Sequence, residues 1–139
     1  MPHRHCDRIA QPTSVFTLSL RPLTALNCPP AVWLVAQDGA GVCGLAHARP
    51  EALTDATWNL LALAVRPSAQ GRGIAAALVS QGEAAMQDRG ARLVIVDTAG
   101  TADYAAARRL YARLGYAQVA RIPDYWAEGV DKITFAKRL

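Results

Sequence analysis

The sequence predicts an α/β domain in which a central mixed β-sheet is flanked by helices. An apolar run, Leu60 to Val65, feeds through Pro67 and a glycine-bearing turn into an alanine-rich helix, and a second apolar run, Leu93 to Val96, follows that helix. Strand, crossover helix and strand make one βαβ unit, which calls for a parallel pair. Ahead of it, Val32 to Ala36 and Val42 to Ala48 flank Gln37-Asp38-Gly39-Ala40-Gly41, the chemistry of a tight turn, and predict an antiparallel hairpin. A sheet with both kinds of neighbour follows.

In chain order, residues 1–30 are expected to be an irregular N-terminal segment and residues 31–139 the folded domain. Residues 1–14 are polar, and although His3, His5 and Cys6 are metal-ligand types, no further set of Asp, His or Cys completes a shell. Val15 to Leu20 alternates like a short strand before Pro22 ends it. After the hairpin, Pro50 to Ala56 is a loop and Thr57 to Val65 a third strand. A helix from Gly73 to Arg89 lines up Ile74, Leu78, Gly82, Ala85 and Met86, and Gly90 stops it. Leu93 to Val96 has the near-continuous apolar character of a strand buried on both faces, so it belongs at the centre. A second helix, Asp103 to Leu114, has Thr101 or Asp103 as N-cap, carries Ala107, Leu110, Tyr111 and Leu114 on one stripe, and ends at Gly115. Ala117 to Ile122 reads as a strand, Pro123 to Asp131 as a loop, and Lys132 to Lys137 as the last strand.

The length of 139 residues suits one domain, and 52% apolar with 19% charged residues is the composition of a soluble globular protein. The apolar runs are too short for a membrane span. Arg4 and Arg8 are not followed by the apolar region of a signal peptide, so a cytoplasmic address is expected. Cys6, Cys28 and Cys43 are odd in number and in no metal or redox spacing, which fits free thiols. The net charge of +4 is modest, and Arg108, Arg109 and Arg113 form the one local cluster, so nucleic-acid binding is not indicated.

Function is concentrated in Val65-Arg66-Pro67-Ser68-Ala69-Gln70-Gly71-Arg72-Gly73-Ile74-Ala75, which reads as an anion cradle. Gly71 and Gly73 let backbone approach a ligand closely, and the following helix begins with amides that lack intrahelical partners at its positive dipole end. No acidic residue occurs from Arg66 to Gly82. A Walker loop is excluded because no lysine precedes Lys132, and a dinucleotide fingerprint because Ala76 stands where its third glycine belongs.

What remains is Gln70-x-x-Gly73-x-Ala75 after Val65-Arg66-Pro67, and later Ala107-x-x-Leu110-Tyr111-x-x-Leu114-Gly115-Tyr116. In this order and spacing the two motifs resemble those of the GNAT acyltransferases over residues 31–139. A narrower likeness, to bacterial members of that family, rests on Thr57-Trp58-Asn59-Leu60, Asp97-Thr98-Ala99 and Ile122-Pro123-Asp124-Tyr125-Trp126.

The resemblance implies an acyl-CoA N-acyltransferase fold with acetyl-CoA, as acyl donor, in a splay between the Leu60–Val65 and Leu93–Val96 strands. Pyrophosphate would rest on the amides of Gln70, Gly71, Arg72, Gly73, Ile74 and Ala75. Leu63, Ala64 and Val65 would line the pantetheine arm, with Leu63 and Val65 bonding it. Tyr111 matches the tyrosine that protonates the leaving thiolate, and no metal is implied. The partner is an amine, either a small molecule or a peptide terminus. Three departures accompany the likeness. Asn59 stands where many members carry an acidic base, leaving Asp97, read as structural, Asp124 or an ordered water. Tyr104 replaces the usual asparagine at the start of the late helix. The N-terminal region is short for two helices that normally wall the acceptor site. An acyl-CoA-binding sensor without catalysis is therefore the alternative, and a homodimer is expected from the missing wall and from Tyr125 and Trp126.

Overall fold

The structure, a computed structural model, describes residues 16–20 and 30–139, so His3, His5, Cys6 and Cys28 lie outside the described residues. The strands are β1 (Thr17–Leu20), β2 (Val32–Asp38), β3 (Gly41–Pro50), β4 (Thr57–Val65), β5 (Leu93–Ala99), β6 (Ala117–Ala127) and β7 (Val130–Arg138). Helix α1 spans Ile74–Asp88 and α2 spans Ala105–Arg113. They form one seven-stranded sheet in the order β1-β2-β3-β4-β5-β7-β6. All neighbours are antiparallel except β4 and β5, the parallel pair joined through α1. The mixed sheet is thus as expected. No described helix is long and apolar enough to cross a membrane.

Local chemistry explains the boundaries. Gly73 sits at φ 78 as the N-cap of α1, a left-handed conformation that glycine adopts without strain. The buried stripe of α1 is Ile74, Leu78, Val79, Gly82, Ala85 and Met86, and it lies across β2, β3 and β4. Gly44 permits the close approach, because a Cβ there would stand 3.1 Å from Ile74 Cγ2, Leu78 Cδ1 and the Ala64 carbonyl alike. Lys137 couples the two helices: its Nζ lies 2.7 Å from Glu83 Oε2 on α1 and donates to the carbonyl of Leu114, just past α2, at 2.8 Å. Both helices therefore flank the same face of the sheet.

The short strand suggested by Val15 to Leu20 is present as the edge strand β1, paired with β2. Three other boundaries differ from the sequence reading. β5 continues to Ala99 because β7 pairs with it throughout. The start of the second helix is a 3-10 turn, Ala102–Tyr104, followed by α2, and neither Thr101 nor Tyr104 caps with a side chain. The expected loop from Pro123 to Asp131 is instead the end of β6, a turn, and the start of β7. Between the paired Ile122↔Lys132 and Ala127↔Val130, Pro123 to Trp126 bulge out of register. Asp131 holds the bulge by accepting from the Asp124 amide at 3.1 Å and from Arg121 Nε at 2.7 Å, while Asp124, at φ 56, accepts from the Gly129 amide at 2.7 Å. Proline and a left-handed residue resemble a loop locally; the distant carboxylate makes them part of a strand.

A further tie fixes the turn ahead of α1. Asp38, at the end of β2, accepts from Arg72 Nη2 at 2.6 Å, from Arg66 Nη2 at 3.2 Å and from the Ala40 amide at 2.9 Å. Its side chain is only 8% exposed. These bonds, led by that from Arg72, hold its carboxyl below its ordinary value of 3.8.

Two predictions follow from this packing. Gly44→Val forces α1 off β3 and should cost about 1–3 kcal/mol, read as a lower urea midpoint at unchanged slope. Because the folded Asp38 carboxyl titrates below its ordinary value, its contribution is complete above that value and lost as pH falls through the folded-state value. Asp38→Asn should therefore lower the melting temperature at pH 7, with the gap from wild type closing as the pH drops below about 4. A gap that persists at acid pH would count against the ion pairs as its origin.

Candidate functional site

The site begins as a defect in the sheet. His47 pairs with Ala62 and Ala48 with Leu60, so Leu61 is an extra residue on β4. Such a bulge bends its strand. β4 and β5 accordingly pair only where Thr57, Trp58 and Asn59 meet Leu93, Val94 and Ile95, and then part. Leu61, in a central strand, is 44% exposed as a result. Each strand keeps its other neighbour, β3 for β4 and β7 for β5. The slot between them has backbone groups without a ladder partner.

Two cavities open on this slot, one of about 490 Å³ and one of about 420 Å³. The smaller runs from β4 along the turn to α2 and is lined by Leu63, Val65, Gln70, Gly71, Gly73, Ile74 and Ala75. The larger lies in the slot, where Leu63 and Ala64 face Val96 to Ala99. Leu63, Ala107 and Tyr111 line both. Of the nine residues expected to hold the donor, eight therefore line a cavity. Arg72 does not: it is turned to Asp38 and to the Ala69 carbonyl.

The turn presents free backbone donors at the start of α1. Ala77 is the first amide of α1 to find a helical acceptor, the carbonyl of Gly73 at 3.0 Å, which leaves the amides of Ile74, Ala75 and Ala76 without intrahelical partners. A Cβ on Gly71 or Gly73 would meet no atom within 4 Å, so the space before the turn is open, yet both have φ 78 and resist other residues. Gln70 Nε2 donates to the Val65 carbonyl at 3.3 Å and ties the turn to the strand end. Asp38 partly neutralises Arg66 and Arg72, the two arginines of the turn. Arg113, on the last turn of α2, lines the same cavity and adds a charge from across it. Its two companions in the sequence have other surroundings: Arg108 bonds the carbonyls of Ala99 and Thr101, while Arg109 is exposed.

Tyr111 is 5% exposed, with Tyr116 at 5.9 Å and Phe135 at 5.8 Å between ring centroids. Burial pushes its phenol up to about 12, so it stays protonated throughout the neutral range. No described residue bonds its hydroxyl, which remains accessible, whereas the hydroxyl of Tyr116 is buried without a partner. Burial, helped by Glu83 and Tyr111, raises Tyr116 as well.

Asn59, which cannot be a base, and the two carboxylates considered in its place separate clearly. Asn59 is 6% exposed, donates to Glu51 Oε1 at 2.7 Å, and lines neither cavity. Asp124 is engaged by the Gly129 amide. Asp97 alone lines the larger cavity. That cavity also receives Tyr104 and Trp126, read in the sequence as a departure and as an interface anchor; Trp126 Nε1 donates to the Thr98 carbonyl at 3.2 Å. Their convergence comes from the slot and the β6 bulge, and no local sequence signal announces it.

Known proteins agree with this geometry. Residues 29–118, well over half of the chain, match the acetyltransferase (GNAT) domain. No curated protein matches the chain. Among solved structures, a GNAT-family protein from Desulfovibrio desulfuricans is 29% identical and superposes with a TM-score of 0.74 over 78% of this chain and 69% of its own. A GNAT acetyltransferase from Elizabethkingia anophelis, solved with acetyl-CoA bound, is 13% identical at a TM-score of 0.74, covering 90% of this chain and 99% of its own. An aminoglycoside 6'-N-acetyltransferase complexed with coenzyme A is 23% identical at 0.68, covering 79% and 73%. The latter two likenesses speak for the fold. The chain belongs to the GNAT acetyltransferase family.

Proposed function

We propose that the chain is an N-acetyltransferase that moves the acetyl group of acetyl-CoA to a primary amine of a small molecule or peptide by direct attack. The observation that carries this reading is the position of Tyr111, on the wall common to the cavity beside the anion turn and the cavity in the slot. Bound acetyl-CoA supplies an activated thioester. The amides of Gln70 to Ala75 and the positive end of α1 receive its pyrophosphate, and β4 around Leu63 and Val65 offers the amides of the pantetheine arm a strand edge. Backbone N–H groups of the splayed strand stabilise the charge that collects on the carbonyl oxygen. Tyr111 gives its proton to the sulfur as the C–S bond breaks, and the proton lost by the attacking nitrogen passes to solvent, from which the phenol is restored.

Asn59 favours a second reading, an acyl-CoA-binding protein without turnover, because an amide bonded to Glu51 outside both cavities cannot deprotonate an amine. Tyr111→Phe separates the two. It keeps the ring against Tyr116 and Phe135 and should lower turnover about 100-fold to 10,000-fold, while acetyl-CoA stabilises both proteins equally against heat. Unchanged turnover would reduce Tyr111 to a core residue. Tight binding of acetyl-CoA without thiol release on any amine would favour the sensor.

The outermost strand supports a homodimer. All eleven residues of β6 are exposed, including Val119 at 59% and Ile122 at 45%, and its free edge suits antiparallel pairing with a second copy. A dimer is the expected result of equilibrium sedimentation at micromolar concentration, and a monomer would overturn this assignment.

A further inference from the structure

The slot opens on both faces of the sheet, and the groups on its two sides differ in kind. Val96 pairs with Phe135, which packs on Tyr111, so this register of β5 and β7 faces the helices. Asp97 pairs with Thr134 in the alternate register and points to the opposite face. It is the single carboxylate among the residues that line the two cavities.

Its two oxygens have different surroundings. Oδ1 accepts from Thr134 Oγ1 at 2.6 Å, a full hydrogen bond. Oδ2 has only Lys132 Nζ at 3.5 Å, beyond good hydrogen-bond distance. That ammonium also lies 4.4 Å from the centre of the Tyr125 ring, a cation–π contact. Lys132 therefore leaves the second acceptor oxygen unfilled, and the Asp97 side chain retains 20% exposure. The cavity that Asp97 lines is otherwise walled mainly by apolar and aromatic groups, among them Leu61, Val130, Tyr104 and Trp126, both rings about half exposed.

We infer that Asp97 Oδ2 binds the nitrogen of the acceptor, and that the acceptor is a primary amine carried on an apolar or aromatic body seated between Trp126 and Tyr104. One carboxylate already accompanied by a lysine suits a single amine nitrogen. It does not suit a polycation, whose further charges would meet Lys132 and apolar walls. This assignment rests on the transferase reading for its consequence in turnover, but not for binding.

The test uses the full chain with acetyl-CoA and three probes, 2-phenylethylamine, n-butylamine and spermidine, together with calorimetric binding of 2-phenylethylamine in the presence of coenzyme A. The expected order of kcat/KM is 2-phenylethylamine, then butylamine, then spermidine. Asp97→Asn keeps the Thr134 bond and should raise the amine KM about tenfold to a hundredfold, with the KM for acetyl-CoA unchanged. Trp126→Leu should raise the 2-phenylethylamine KM and leave that of butylamine nearly unchanged, and it decides the matter if Asp97→Asn does not fold. A preference for spermidine, or an amine KM indifferent to both substitutions, overturns the inference while leaving the transferase standing. Binding of 2-phenylethylamine that Asp97→Asn weakens, without thiol release, upholds the site and overturns the transferase. Absence of such binding together with absence of turnover overturns both.

Discussion

The bulge at Leu61 is the constraint on which the remaining features depend. An interior parallel pair is ordinarily hydrogen-bonded along its length, and separating its strands leaves donors and acceptors that cost free energy unless something meets them. Here the separation is tolerated because the damage is confined to one edge of each strand. β3 still follows β4 to Val65 and β7 still follows β5 to Ala99. The short parallel contact at Thr57–Asn59 holds the closed end, where Trp58 and Asn59 are buried. A slot with unpaired backbone on its walls then exists before any ligand arrives. Amide-bearing ligands can complete it as a strand would.

The charge at the mouth of the slot is arranged less simply than an arginine-rich turn suggests. Asp38 binds both Arg66 and Arg72, so the arginines brace the turn against the hairpin. Positive potential toward the cavity comes instead from the free amides at the start of α1 and from Arg113 on the facing helix. This arrangement has a physical advantage. Fixed dipoles need no reorganisation when an anion binds, while a mobile surface arginine would lose side-chain entropy. The acidic residue that makes the turn rigid thus weakens its formal charge but improves its preparation.

How much of this was legible in the sequence depends on whether the information was local. The strand from Thr57 to Val65 and the helix after Gly73 could be read nearly residue for residue, because Pro67, Gly73 and Gly90 punctuate them and the apolar period between them is regular. Tyr111 was legible through the same periodicity and the motif around it, and eight of the nine cradle and strand residues line a cavity. The most consequential failures are cases of distant partners. Pro123 and Asp124 looked like a turn because the stabilising carboxylate, Asp131, lies across the hairpin. Arg72 looked like a ligand contact because Asp38 lies thirty-four positions away. Tyr104, Trp126 and Arg113 reach the cavities only because two strands part and a bulge turns one side chain inward.

Asp97 illustrates why burial and bonding must be followed atom by atom. A carboxylate in a sheet, hydrogen-bonded to a threonine and close to a lysine, reads naturally as a structural group, and for Oδ1 that description is complete. Oδ2 differs because the lysine stands too far away to donate well, held over an aromatic ring on the bulge of the neighbouring strand. The same bulge places Trp126 against the Thr98 carbonyl, so one irregularity in β6 carries both the ring in contact with the lysine and an aromatic wall of the cavity. Tyr111 and Asp97 reach the slot from opposite faces of one sheet. Both line the same cavity, so a ligand in the slot would meet a phenol from the helix side and a carboxylate from the other.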